Sequence, residues 1–250
     1  MRDLTGGTSR LSLLVVVPDA PRKGASVEIR PFVDGEDILA QAFTDGPGED
    51  PRHLLLPDGP FTADAGPHEV RLAEAECTEG CCGALYVTIR HEGNHVIWGG
   101  WRNPDEDEVE LPEFRFDARE YRAEVDRAVR DLSWEWPART VARLLERNLR
   151  DRADALARWE CELHAVSAWL WEPDRVRVLF WHPSRSALMD GRPWLQFQLT
   201  LDVSGDAPAA QAERLAEYVL AHDPRRTGEV SGGSSEYAAQ LGYPWPPRSF

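Results

Sequence analysis

The chain has 250 residues, 28 of them Lys or Arg and 43 Asp or Glu, for a formal net charge of −15. With 42% hydrophobic and 28% charged residues, the composition excludes a disordered, collagen-like or multi-span membrane chain, and the length suits one large domain or two small ones. The negative balance argues against nucleic acid and anionic membrane surfaces as partners, because both are bound largely through Lys and Arg, and it favours a basic protein partner.

Leu11 to Val17 is the one apolar run near the N-terminus. It is too short to span a bilayer, and Pro18-Asp19 follows directly, so it reads as a buried strand rather than a signal peptide. Four cysteines, Cys77, Cys81, Cys82 and Cys161, fall well below the density of a secreted disulfide scaffold and point to a reducing cytoplasm. Arg replaces Lys everywhere except Lys23, a bias typical of a GC-rich bacterial genome.

In chain order, Leu11–Val17 and Val27–Val33 read as strands, and residues 34–68 as loop with at most one helical turn. Val70 and Leu72 mark a further strand, joined through a Cys77–Gly83 turn to the clearest local pattern. There Leu85, Val87 and Ile89 alternate with Tyr86, Thr88 and Arg90 before Glu92-Gly93-Asn94 reverses the chain, which predicts a β-hairpin over Ala84–Trp98 with a loop of about three residues. Asp117 is placed to cap a helix carrying Tyr121, Val125, Ala128, Val129 and Leu132 on one stripe. Pro137 opens a second helix running through Leu156 and Trp159, and the two together predict a central helical hairpin. Leu163–Trp171, Arg175–Trp181 and Trp194–Val203 predict a three-stranded antiparallel sheet, followed by a helix from Asp206. Pro224–Phe250 is rich in Gly, Ser and Pro, with a short helix at Ser235–Leu241.

The predicted class is therefore α+β: a mostly antiparallel sheet in the first half, the helical hairpin, then three antiparallel strands and a C-terminal helix. The predicted domains are an acidic β-rich domain over 1–116, an α+β domain over 117–225 and a tail over 226–250. Residues 1–116 hold 10 basic and 22 acidic side chains, a net of −12, so the acidic character belongs to the first half.

Four constellations bear on chemistry. Asp105, Glu106, Asp107, Glu108 and Glu110 form an acidic run that reads either as a solvated loop or as a docking strip for a basic partner. His91-Glu-Gly-Asn-His95 matches the zincin spacing, but it sits on a chain reversal where a helix is required. The Cys77–Gly83 segment reads as structural thiols. Strand alternation lets only one of Cys81 and Cys82 share a face with Cys77, and a tetrahedral zinc site would need two further ligands such as Cys161 or His164, so no metal and no cofactor is expected. Among the ten tryptophans, Trp169, Trp171 and Trp181 form the preferred ligand-facing group, with His164 or His182 as the polar partner. Two functions follow. The first is a non-catalytic cytoplasmic interaction protein, antitoxin-like or immunity-like, whose acidic surface binds a basic protein. The alternative is a small-molecule enzyme or binder with a Trp-lined pocket where the two halves meet.

Overall fold

The computed structural model describes residues 7–19, 22–63, 66–105 and 109–245. It is a mixed helix and sheet protein whose chain divides into two compact units, Met1–Trp134 and Glu135–Phe250. Among the described residues no helix is long and apolar enough to cross a membrane.

The first unit holds two antiparallel sheets. β1 (Leu11–Val16) pairs with β2 (Glu28–Val33), which turns through Asp34-Gly35 into the short β3 (Glu36–Asp37). Two short helices follow where the sequence predicts loop. In α1 (Ile38–Ala42) the Asp37 carboxylate caps the Ala40 N–H, and in α2 (Pro51–Leu54) Asp50 caps Arg52. Each buries only one or two apolar side chains, Ile38 and Leu39 or Leu54, which is too little to leave a helical period in the sequence.

The second sheet has the order β4 (His68–Glu74), β5 (Ala84–Glu92), β6 (His95–Arg102) and β7 (Phe114–Asp117). Glu92 pairs with His95, so the β5–β6 turn has two residues rather than three. Gly93 at φ +61° supplies the positive φ that a tight turn matched to strand twist needs at its first position. Between β4 and β5 lies one short helix, α3 (Glu79–Cys82). α4 (Ala118–Arg130) starts where Asp117 accepts the N–H groups of Arg119 and Glu120, and it packs its Tyr121, Val125 and Ala128 stripe against β1, β6 and β7. Leu132 lies beyond the helix end and is exposed.

Arg71 on β4 ties the loop side of this unit together through ion pairs with Glu49, Glu74 and Glu79, and Glu49 also accepts from His53 Nδ1 at 3.0 Å. Burial pushes the Glu49 carboxyl up, but the His53 and Arg71 hydrogen bonds outweigh it and hold the group below the usual carboxylate range. A depressed carboxyl stabilises the fold above the unfolded value of about 4.3 and loses that contribution as pH falls through the folded value. Glu49→Gln should therefore cost about 2 kcal/mol at neutral pH and progressively less in acid. Urea midpoints of the two proteins that run parallel down to pH about 3 would contradict this.

The second unit begins with α5 (Pro137–Arg150), Pro137 at its first position, and α6 (Ala153–Ala157). The single long helix expected through Trp159 is thus broken after Arg150. The sheet is β8 (Glu162–Ser167), β9 (Arg175–His182), β10 (Leu195–Asp202) and β11 (Glu229–Gly233), antiparallel in the order β11-β10-β9-β8. It is four-stranded rather than three-stranded, because the segment expected to be a tail supplies β11 on the free edge of β10. α7 (Arg185–Met189), α8 (Pro208–Ala221), α9 (Pro224–Thr227) and α10 (Ser235–Leu241) complete the unit.

The two helices expected to form a central hairpin belong to different compact units. α5 packs on α8, β8 and β9, where Val141, Leu145 and Leu149 share a core with Val178, Phe180 and Ala216. α4 belongs to the core of the first unit, which spans Met1–Trp134.

Candidate functional site

The first unit carries 14 basic and 27 acidic side chains, net −13, against 14 and 16, net −2, in the second. Several of its arginines are committed to particular carboxylates: Arg30 to Glu28 and Asp37, Arg90 to Glu92 and Glu113, Arg102 to Glu69, and Arg127 to Glu124. Asp45, Glu76, Asp105 and Glu110 are exposed and form no ion pair among the described residues. They lie along one edge. The Glu76 N–H donates to the Asp45 carbonyl, Asp45 and Glu110 line one groove of about 300 Å³ with Phe43 and Thr44, and Asp105 lies against Gly83. Of the expected strip, Asp105 and Glu110 belong to this edge, while Glu106, Asp107 and Glu108 lie outside the described residues.

The thiols sit on the same edge. Cys81 and Cys82 are on the helical turn α3 and not on a strand, so the alternation argument against their sharing a face with Cys77 does not apply. One sulfur from each of Cys77, Cys81 and Cys82 lies within 4.8 Å of the others, and the Cys81 and Cys82 sulfurs are 3.7 Å apart. A hydrogen bond from the Cys82 thiol, helped by the Thr78 backbone and Cys81, holds the Cys77 thiol below its ordinary value. Cys82, as the donor to Cys77, is pushed up to about 12. Cys161 is buried in the core of the second unit, 5% exposed, and its thiol is pushed up to about 12 by burial.

No family model, no curated protein and no solved structure matches this chain. Its chemistry has to be read from its own geometry.

The hairpin histidines diverge. His91 pairs with Val96 and Glu92 with His95, so the two imidazoles stand on opposite faces of the ribbon and do not converge on one ion as the zincin spacing would require. His95 instead meets Arg115 Nη2 at 3.1 Å, and His91 lines a cavity of about 320 Å³ together with Phe61, Val96, Tyr121, Val125 and Arg122. Sequence reasoning missed this cavity. Its one signal is the polar series Arg122, Asp126 and Arg130 running beside the buried stripe of α4.

The three candidate tryptophans of the second unit fall into two groups. Trp169 stacks on Trp171 with centroids 4.9 Å apart and receives the Arg177 guanidinium at 3.6 Å. Trp181 stacks on His164 at 4.2 Å and lies four residues along β9 from Arg177, a separation of about 13 Å. His182 is buried, 4% exposed, and its Nδ1 is 2.9 Å from the Glu160 carbonyl.

Proposed function

We propose that the chain is a non-catalytic interaction protein whose acidic first unit binds a basic protein partner, in the manner of an immunity protein or antitoxin. The observation that carries this reading is the division of charge. One unit holds a surplus of 13 carboxylates and the other a surplus of two, and four carboxylates of the first unit that form no ion pair among the described residues share one edge. Such a field accelerates association with a basic surface and disfavours phosphate backbones.

A variant with Asp45, Glu76, Asp105 and Glu110 replaced by Lys changes the local charge by eight without touching the core. Immobilised full-length protein should capture a basic protein at low ionic strength, and capture should fall at least about tenfold as salt rises past 0.3 M, where screening shortens to a few ångströms. The four-Lys variant should lose that capture at every salt concentration. Recovery that ignores salt, or that survives the four substitutions, would contradict the proposal.

A further inference from the structure

We propose that the Cys77, Cys81 and Cys82 turn is a binding site for a single soft d10 metal ion, held by three thiolates with one coordination position open to solvent. The proposal rests first on spacing. Sulfurs bound at about 2.3 Å to one centre lie about 3.8 Å apart in tetrahedral and about 4.0 Å apart in trigonal geometry. The observed sulfurs, 3.7 Å apart for one pair and all within 4.8 Å, need their separations to close by at most about 1 Å, within reach of side-chain rotation, to attain either. Three free thiols rarely gather this closely for packing alone, and here only Cys82 packs against the core while Cys77 and Cys81 are exposed.

The turn that carries them is held in place. The Glu74 carboxylate accepts the Glu79 N–H at 3.2 Å, Glu79 is fastened by the Tyr86 hydroxyl at 2.9 Å and by Arg71, and the Gly83 carbonyl accepts the Ala75 N–H at 3.1 Å. A preset turn of this kind lowers the ordering cost of binding.

The donor set selects the ion. Thiolates prefer Cu(I), Zn(II) and their heavier congeners over Mg(II), Ca(II) or Mn(II), which take oxygen. Three protein ligands with solvent in the fourth position suit a d10 ion, which imposes no geometric preference of its own. Cys161, buried in the core of the second unit, is not part of the set. The carboxylates of Glu74, Glu76 and Glu79 close to the turn disfavour three bare thiolates and favour a cation there, so deprotonation and metal entry are coupled. Binding should release about two to three protons and weaken as pH falls.

The test is a Cd(II) titration of the full-length protein, reduced with a phosphine and kept free of oxygen. The expected result is one Cd(II) per chain, with thiolate-to-cadmium absorption of the intensity of three thiolates. Cys77→Ser, Cys81→Ser and Cys82→Ser should each lower affinity by at least about tenfold and reduce that absorption, while Cys161→Ser leaves both unchanged. Circular dichroism matching the parent protein separates ligand loss from misfolding. Absorption that does not saturate at one equivalent, or Ser variants of the turn that bind as tightly as the parent, would overturn the proposal.

Discussion

Trp98→Ala should be the most damaging single truncation in the first unit, costing about 3–5 kcal/mol. Trp98 is fully buried, stacked on Phe61 at 5.6 Å between centroids and met edge-on by Trp101, Phe116 and Tyr121. Its indole N–H donates to the Tyr121 hydroxyl at 3.2 Å, and that hydroxyl donates to the Phe61 carbonyl at 2.8 Å. Alanine removes the ring that four aromatic neighbours share and takes away the donor to Tyr121, so the transfer and cavity costs add. Trp98→Phe keeps most of the volume and should cost about half as much. Hydrogen exchange locates the effect: amides of β5 and β6 should lose protection in the alanine variant, while those of β9 and β10, whose side chains belong to other clusters, keep theirs. Uniform loss across both units, or a change below about 1 kcal/mol, would contradict this account of the core.

The second large effect is expected at Gly83, where the chain leaves the thiol turn. Gly83 has φ +82° and ψ −170°, a conformation essentially reserved for glycine, and a Cβ there would fall 2.0 Å from Asn103 Oδ1. Asn103 is buried, 4% exposed, and that oxygen accepts the N–H groups of Ala84 at 3.1 Å and Asp105 at 3.2 Å. Gly83→Ala therefore strains the backbone and displaces an acceptor serving two amides, for a combined cost of about 3 kcal/mol or more. Gly80, three residues earlier on α3, has open space around it and no positive φ, so Gly80→Ala should be neutral or stabilise by up to about 1 kcal/mol. Urea midpoints of the two variants should move in opposite directions or differ by this margin. Equal behaviour would mean that the Asn103 anchor does not hold the turn.

What was legible in the sequence was local. The alternation of Leu85, Val87 and Ile89 announces β5, Leu195 to Leu201 announces β10, and Asp117 announces the start of α4, because strand period and capping chemistry are written in neighbouring residues. The short helix Ser235–Leu241 is legible for the same reason, with the Ser234 side chain accepting the Tyr237 N–H.

What failed depended on distant partners. The residues of β11 have weak strand propensity, Ser231, Gly232 and Gly233 among them, and become a strand only because β10 offers an open edge. The α4 stripe shows that the helix is half-buried but not which sheet buries it. Cys81 and Cys82 stand on one helical turn, Glu79–Cys82, where the strand alternation applied to them in the sequence does not hold, and so short a turn leaves no helical period to read. Trp169 and Trp171 lie beyond the end of β8 in the turn that leads to β9, whereas Trp181 pairs with Glu162 near the other end of the hairpin, so the antiparallel pairing itself holds them apart.

On one edge of the first unit, carboxylates that form no ion pair among the described residues and three thiols stand together. The most direct test is X-ray absorption at the zinc edge on the full-length, reduced, zinc-loaded protein. Three sulfur neighbours at about 2.3 Å and one oxygen or nitrogen at about 2.0–2.2 Å are expected. A first shell of nitrogen and oxygen with one sulfur or none would contradict the account.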